Sequence, residues 1–407
     1  MEIAGIVAEY NPFHNGHLYQ INQTKFQTHV DAIVAVISGN FSQRGEATIT
    51  DKFTRTKMAL LNGVDLVLEL PVPAATSSAE RFAEGAISIF EQSHIISSIS
   101  FGSECGDIAT LTKIATTLIH EQDSVDQLIK KHLKTGLSYP RARQEALIEF
   151  LSTESLSNTT DDLLETLKSP NNILGIEYIK ALTKLHSTIT PFTIKREGAA
   201  YHNPSIEGHI ASATAIRNEL LNGSMKHTTS MPPSAATLLN PTSLPSMERL
   251  SAFLHFKLMF SKAEELYATW DIPSDLIHTF IKNISDAPTY MELVNRCTSK
   301  TYTKATVQRS LLRILLHITE SNIGCSPLTV PYIRVLGCRK ESTHLLRMLS
   351  RNATVPVITN LNKQYSGLNA SQKAWIDYEL KATKLYAYTT KTPSFAMSDY
   401  TTPFILI

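Results

Sequence analysis

Short apolar runs alternate with longer amphipathic stretches through the first half of the chain, and the alternation stops near its middle. Ile3 to Ala8, Asp31 to Ser38, Val64 to Leu70 and Ile95 to Phe101 are short and almost uniformly apolar, and read as buried strands. Between them a helical period predicts helices from Leu18, from Asp51 to Asn62 and from Ala79 to Gln92. Strand and helix in alternation imply a parallel sheet covered on both faces. Ligands are then expected beyond the carboxyl ends of the strands. From Ile108 to about Leu167 the pattern is helical, with polar breaks at Gly136 to Pro140 and Thr153 to Asp162, as in an insertion outside the sheet. A helix from about Ser169 to His186, with Asn171 or Asn172 as its N-cap, a strand from Thr190 to Lys195 and a helix ending at Leu221 follow.

Asn222 to Leu244 is rich in Gly, Ser, Thr, Pro and Asn and reads as a connector. The expected organisation is therefore an α/β domain over residues 1–225, with its helical insertion at about 108–168, and a mainly helical domain over 226–407. In the second part Met247 to Ser261, Pro273 to Ile284, Tyr290 to Cys297, Thr303 to Ser321 and Ala370 to Tyr388 are helical patterns, and Val355 to Asn360 is a short strand.

Composition narrows the classes. The chain has 407 residues, enough for two or three domains, and 18% charged residues against the usual quarter or so. Its net charge is +1, so any polyanion-binding surface has to be local. One such bias exists: Arg296, Lys300, Lys304, Arg309 and Arg313, with Tyr302 interleaved, and Arg334 to Arg351 beyond them. Basic helices are often only solvated faces, but in a near-neutral chain this asymmetry suggests a phosphate-backbone partner such as RNA. Cys105, Cys297, Cys325 and Cys338 form no CxxC pair, so reduced thiols are expected and a zinc site is not. Met1 leads straight into the first strand and no run of about eighteen apolar residues occurs. A soluble, cytoplasmic protein with no membrane or DNA partner is the expectation.

The candidate chemistry sits at strand ends. Asn11-Pro12 breaks the first strand, and His14-Asn15-Gly16-His17 opens the first helix. A strand, a tight turn and a helix N-terminus form a ready phosphate site, because free N–H groups and the helix dipole point outward there. An isolated HxxH also suits a solvated surface or half of a metal site, but its place at the end of the first strand favours the phosphate. Gly16 would let a nucleotide lie against the backbone. Arg44, between Gln43 and Gly45 after the second strand, suits a phosphate or carboxylate through its bidentate fork, and Lys52 follows as a second cation. Gly102 closes the fourth strand and Arg196 the fifth.

HxGH resembles the HIGH signature of adenylyl-transferring enzymes, in which the two histidines contact the triphosphate. Ser212-Ala-Thr214-Ala-Ile-Arg217 resembles the S-x-T-x-I-R element that closes over the β- and γ-phosphates in HIGH-type nucleotidylyltransferases. Longer blocks sharpen the likeness: Gly5 to His17, Ile37 to Glu46, Asp51 to Arg55, Asn62 to Pro71, Phe101 to Glu104, Pro170 to Gly175 and Tyr332 to Gly337. Together they resemble the bacterial tRNA(Met) cytidine acetate ligase family over nearly the whole chain.

The resemblance implies a Rossmann-like fold and ATP contacts from Ile6, Val7, Ala8, Glu9, Tyr10, Asn11, Pro12, Phe13, His14, Asn15, Gly16, His17, Leu18 and Tyr19. Gly102, one of Asn171 and Asn172, and Arg196 would add to them. It also implies acetate activation with ATP and Mg²⁺, followed by acetyl transfer to the wobble cytidine of elongator tRNA(Met). His14, His17, Arg44 and Lys52 are the expected catalytic groups, and the basic C-terminal helices the expected tRNA contact. Two rival readings are a nucleotidylyltransferase that makes a dinucleotide-type cofactor and an RNA-binding protein regulated by ATP.

Overall fold

The computed structural model describes residues 1–137, 139–153, 165–196, 210–223, 226–323, 328–393 and 398–407. Its centre is one mixed sheet of eight strands: β1 (Ile3–Ala8), β2 (Ala32–Ser38), β3 (Leu66–Leu70), β4 (Ser98–Ser103), β5 (Thr190–Lys195), β6 (Ile333–Cys338), β7 (Val357–Ile358) and β8 (Ile405–Leu406). The order is β5-β4-β1-β2-β3-β6-β7, with β8 also on β6. The first five strands run parallel, as the alternation predicts. The crossover lies at β1, whose neighbours β2 and β4 come from opposite directions along the chain.

Both faces are covered, which is why the strands are apolar throughout. Ile3, Val34, Val36, Leu66, Leu68 and Phe101 belong to one buried cluster, with the Ala79–Ser93 and Pro170–Lys184 helices. Their alternates Ala4, Ile6, Ile33, Ala35, Ile37 and Val67 belong to the other, with the Asn15–Thr28, Lys52–Leu61 and Ala213–Leu221 helices. A period of two sends neighbouring side chains to opposite faces, and each fully buried Val, Leu or Ile contributes about 1.5–3 kcal/mol.

Three features depart from expectation. β6, β7 and β8 come from the second half of the chain and extend the first half's sheet beyond β3, β6 pairing antiparallel to β3. The sheet therefore takes strands from both sides of residue 225. The first helix starts at Asn15 rather than Leu18, so His14 is its N-cap and His17 lies in its first turn. The Pro170–Lys184 helix is capped by neither asparagine: Ser169 holds the N-cap position, and the Glu104 carboxylate accepts the Asn172 N–H at 3.0 Å. Helices at Ile108–His120, Gln122–Lys134 and Tyr139–Thr153 form the inserted segment. The predicted polar break at Thr153 to Asp162 lies largely outside the described residues, as does Cys325. None of the helices described is long and apolar enough to cross a membrane.

Candidate functional site

The carboxyl ends of β1, β2, β4 and β5 open into one cleft, lined by Glu9, His14, His17, Arg44, Gly102, Asn171, Arg196, Ser212, Thr214 and Arg217. These residues come from six separate stretches of the chain. The loop between β1 and the first helix is held tightly: Asn11-Pro12 is cis, Tyr10 has φ 47°, and the Tyr10 and Phe13 rings pack 4.9 Å apart in the core. Asn11 ties it to the next loop, its Oδ1 accepting the Ile49 N–H at 2.7 Å.

The two histidines cap their own helix. His14 Nδ1 accepts the Gly16 N–H at 3.1 Å, and His17 Nδ1 accepts the His14 N–H at 3.2 Å. A backbone N–H can only donate, so both Nδ1 atoms are bare and each neutral ring carries its proton on Nε2. The rings stack with centroids 3.7 Å apart. Burial, reinforced by the nearby Arg196 and Arg217 guanidiniums, pushes the His14 imidazole down to about 3. Burial and the adjacent His14 likewise hold His17 well below the usual range. At neutral pH the pair is thus two uncharged N–H donors. Gly16 serves this arrangement first: a Cβ there would stand 2.9 Å from His14 Cε1 and push the ring off the backbone.

Cationic groups ring the same space. Arg217 reaches in from the Ala213–Leu221 helix and donates to the Asn11 carbonyl at 2.8 Å and to Thr214 Oγ1 at 3.2 Å. Ser212 caps that helix by accepting the Ala215 N–H at 3.1 Å. Arg196 leaves the end of β5 beside Gly102, where a Cβ would sit 3.3 Å from its Cγ. Arg44 is exposed on the loop after β2, and the neighbouring Gln43 N–H is held by Glu9 Oε1 at 2.7 Å. Phe82, Phe101, Leu174 and Tyr178 give the cleft an apolar wall, with the Phe101 and Tyr178 rings 5.7 Å apart.

Several expected site residues lie elsewhere. Lys52 is not a cleft residue: it is fully buried, its Nζ 2.5 Å from Glu69 Oε1, 2.6 Å from Asp399 Oδ1 and 3.7 Å from Glu379 Oε2. A cation so enclosed by carboxylates cannot meet a ligand. Asn172 is also spent on structure, its Oδ1 accepting the Glu104 and Cys105 N–H groups and its amide donating to the Thr166 carbonyl. Asn171 is the one that lines the cleft. Ile6, Pro12 and Phe13 are buried and shape the loop, while Tyr10, also buried, lines the cleft with its ring 4.9 Å from that of His17. Asn15 donates to the Thr229 carbonyl, while Gly16 and Tyr19 line a smaller adjoining recess.

Within the basic run, Arg296, Lys300 and Lys304 are exposed. Arg313 is buried over the Trp270 ring and donates to Asp271, Thr76 and Ser77. Arg309 is half-buried, and a Cβ on Gly45, which has φ +76°, would meet its backbone nitrogen at 2.6 Å. Arg313 holds the Lys304–Leu316 helix to the α/β part, and Arg309 donates to the Gln43 carbonyl at 3.5 Å.

One organising residue carried no signal of its own. Arg55 is fully buried and donates to the Glu9, Ser38, Gly39 and Thr50 carbonyls, which locks the β1 and β2 loops together. Its five donors match carbonyls that only the fold brings into one place.

The HIGH Nucleotidyl Transferase family model matches residues 1–400. The chain is 37% identical over 403 residues to the tRNA(Met) cytidine acetate ligase of Clostridium perfringens, covering 98% of each chain. It is 38% identical to that of Clostridium kluyveri, covering 100% of this chain and 99% of the relative. Thermotoga maritima TmcAL without ligand superimposes with a TM-score of 0.92 at 31% identity, and its complex with alpha-thio ATP with 0.88 at 30%, each over the full length of both chains.

Proposed function

The chain belongs to the tRNA(Met) cytidine acetate ligases within the HIGH nucleotidyl transferase family, and on that premise we propose that it joins acetate to ATP and hands the acetyl group to tRNA(Met). In the first step an acetate oxygen attacks the α-phosphorus, giving acetyl-adenylate and pyrophosphate. In the second, the N4 amine of the wobble cytidine attacks the acyl carbon, a proton leaves the amine, and AMP departs. The reaction belongs in the cytoplasm, where tRNA is modified.

The observation that carries this reading is the pairing of two neutral imidazoles with Arg44, Arg196 and Arg217 in one cleft. Acetate is already ionised at neutral pH, so its attack needs no general base. The demand is for charge stabilisation where pyrophosphate leaves, supplied by donors fixed in advance. The Nε2–H groups of His14 and His17 would point at the phosphates, with Arg196 and Arg217 beside them and the Thr214 hydroxyl nearby. Among the described residues no three His, Cys, Asp or Glu side chains gather as a metal cage. Mg²⁺ would enter with the nucleotide as part of the substrate, as this ion usually does in phosphoryl-transfer sites. The Phe82, Phe101, Leu174 and Tyr178 wall suits a methyl group, and gives acetate an apolar seat beside a polar reaction centre.

Incubation with ATP, acetate and bulk tRNA, followed by mass analysis of nucleosides, tests both steps. Acetylated cytidine that appears only with all three supports the proposal. Pyrophosphate release that requires a phosphorylated cofactor precursor instead of acetate would replace it with the dinucleotide-type reading.

A further inference from the structure

The second half of the chain carries an exposed aromatic surface that the adenylation chemistry does not use. On the Ser251–Phe260 helix, Leu254 and Leu258 face the core. Phe253, Phe256, Lys257 and Phe260, spaced i, i+3, i+4 and i+7, form an outer stripe. Phe256 and Phe260 are 68% and 74% exposed, and their rings lie 5.3 Å apart at 30°. The Phe253 ring meets Tyr388 of the Ala370–Thr389 helix at 4.8 Å. Lys381 and Lys384, both exposed, lie seven and four residues before Tyr388, on the same side of that helix. Burial holds His317, at the end of the Lys304–Leu316 helix, below its ordinary pKa, and Lys257 and Lys381 both add to this while Glu265 opposes it. Both lysines therefore lie near His317.

The opposite face of the Ala370–Thr389 helix meets the loop that borders the cleft. Two residues before Tyr388, the Tyr386 hydroxyl donates to the Thr48 carbonyl at 2.9 Å, and its ring packs edge-on to Phe41. Thr48 and Phe41 flank Gln43, Arg44 and Glu46, which line the cleft.

Flat rings presented to solvent among lysines match unpaired nucleotides, whose bases stack on aromatics while phosphates meet ammonium groups. A symmetric second copy would set these lysines against their own counterparts, and interface cores are depleted in lysine. We propose that Phe253, Phe256, Phe260 and Tyr388 form a stacking platform for unpaired bases of the RNA substrate, with Lys257, Lys381 and Lys384 on its backbone. The proposal rests on the tRNA reading above.

The test compares three variants of the full chain, all at exposed positions. Phe256→Ala/Phe260→Ala and Phe256→Leu/Phe260→Leu should each bind tRNA tenfold to a hundredfold more weakly, whereas Phe256→Trp/Phe260→Trp should bind within about threefold of the parent. Acetate-dependent ATP–pyrophosphate exchange, measured without tRNA, should be the same in all. Tryptophan at 256 should also be quenched on addition of tRNA. Unchanged tRNA affinity in the alanine variant overturns the platform. So does full retention by the leucine variant, or loss only of self-association or of binding to anionic vesicles. Absence of exchange in the parent enzyme would instead sink the adenylation reading and leave the binding result to stand by itself.

Discussion

The cleft around His14 and His17 and the buried cluster around Lys52 make opposite uses of charged residues. Both draw on the segments that follow β1 and β2, and in the sequence both read as a cation just past a strand. In the cluster, Lys52 and Arg334 are enclosed with Glu69, Glu379 and Asp399 and sealed from water. Lys52 and Arg334 hold the Asp399 carboxyl below its usual range, while burial and the adjacent Glu69 push Glu379 well above it. Protonation of Glu379 would leave two cations against two carboxylates. In the cleft Arg44, Arg196 and Arg217 line the cavity itself, and the histidines stay neutral. Charge neutralised inside the protein serves the fold, and charge left facing a cavity serves a ligand.

The largest expected effect breaks the cluster. Lys52→Met leaves buried carboxylates without their cation and should lower unfolding free energy by about 3–5 kcal/mol in urea. The protein that remains folded should keep its rate of acetate activation, and a catalytic Lys52 would show the reverse pattern. The mirror experiment, His17→Ala, should leave urea stability within about 1 kcal/mol and cut acetate-dependent pyrophosphate release by about 10²–10³. Loss of stability without loss of rate would undo the assignment of His17 to the phosphates.

Acid should sharpen the comparison. A histidine whose pKa is lower in the folded than in the unfolded chain weakens folding once pH falls below the unfolded value near 6.5. For His14 the loss continues down to about pH 3. Urea midpoints between pH 7 and 5 should show a fall of up to about 1.4 kcal/mol per pH unit for each such histidine. His14→Asn/His17→Asn should flatten that slope, and an unchanged slope would mean that the rings are not buried neutral. The smallest effect separates the two carboxylates. Glu379→Gln replaces a protonated acid by a neutral isostere and should cost less than about 1 kcal/mol. Asp399→Asn, which removes a charge that Lys52 and Arg334 both use, should cost about 3 kcal/mol.

Much of this was legible locally. A uniformly apolar run bounded by Gly, Pro and Asn is a strand wherever it sits, and β1, β2, β3 and β5 lie within two residues of their predicted bounds. HxGH and S-x-T-x-I-R combine caps and donors in one short stretch, so their local geometry is written in the order of residues. Asn171 and Asn172 show where that ends: adjacent and alike, both bond Glu104, but Asn171 also lines the cleft while the Asn172 side chain is consumed by backbone groups. β6 has no strand signal of its own in the chain, since the edge it joins is built by residues more than 260 positions earlier.

By itself, the sequence determined the parallel α/β half and the order of the elements that line the cleft, because helices, strands and turns are decided by near neighbours. Which cations meet a ligand was decided only by the tertiary structure. Lys52, Arg55, Arg309 and Arg313 look as solvated as Arg44 or Arg196 in the chain, and their acids and carbonyls arrive from distant segments. A charge becomes structural when folding brings it a buried partner, and no local pattern carries that information.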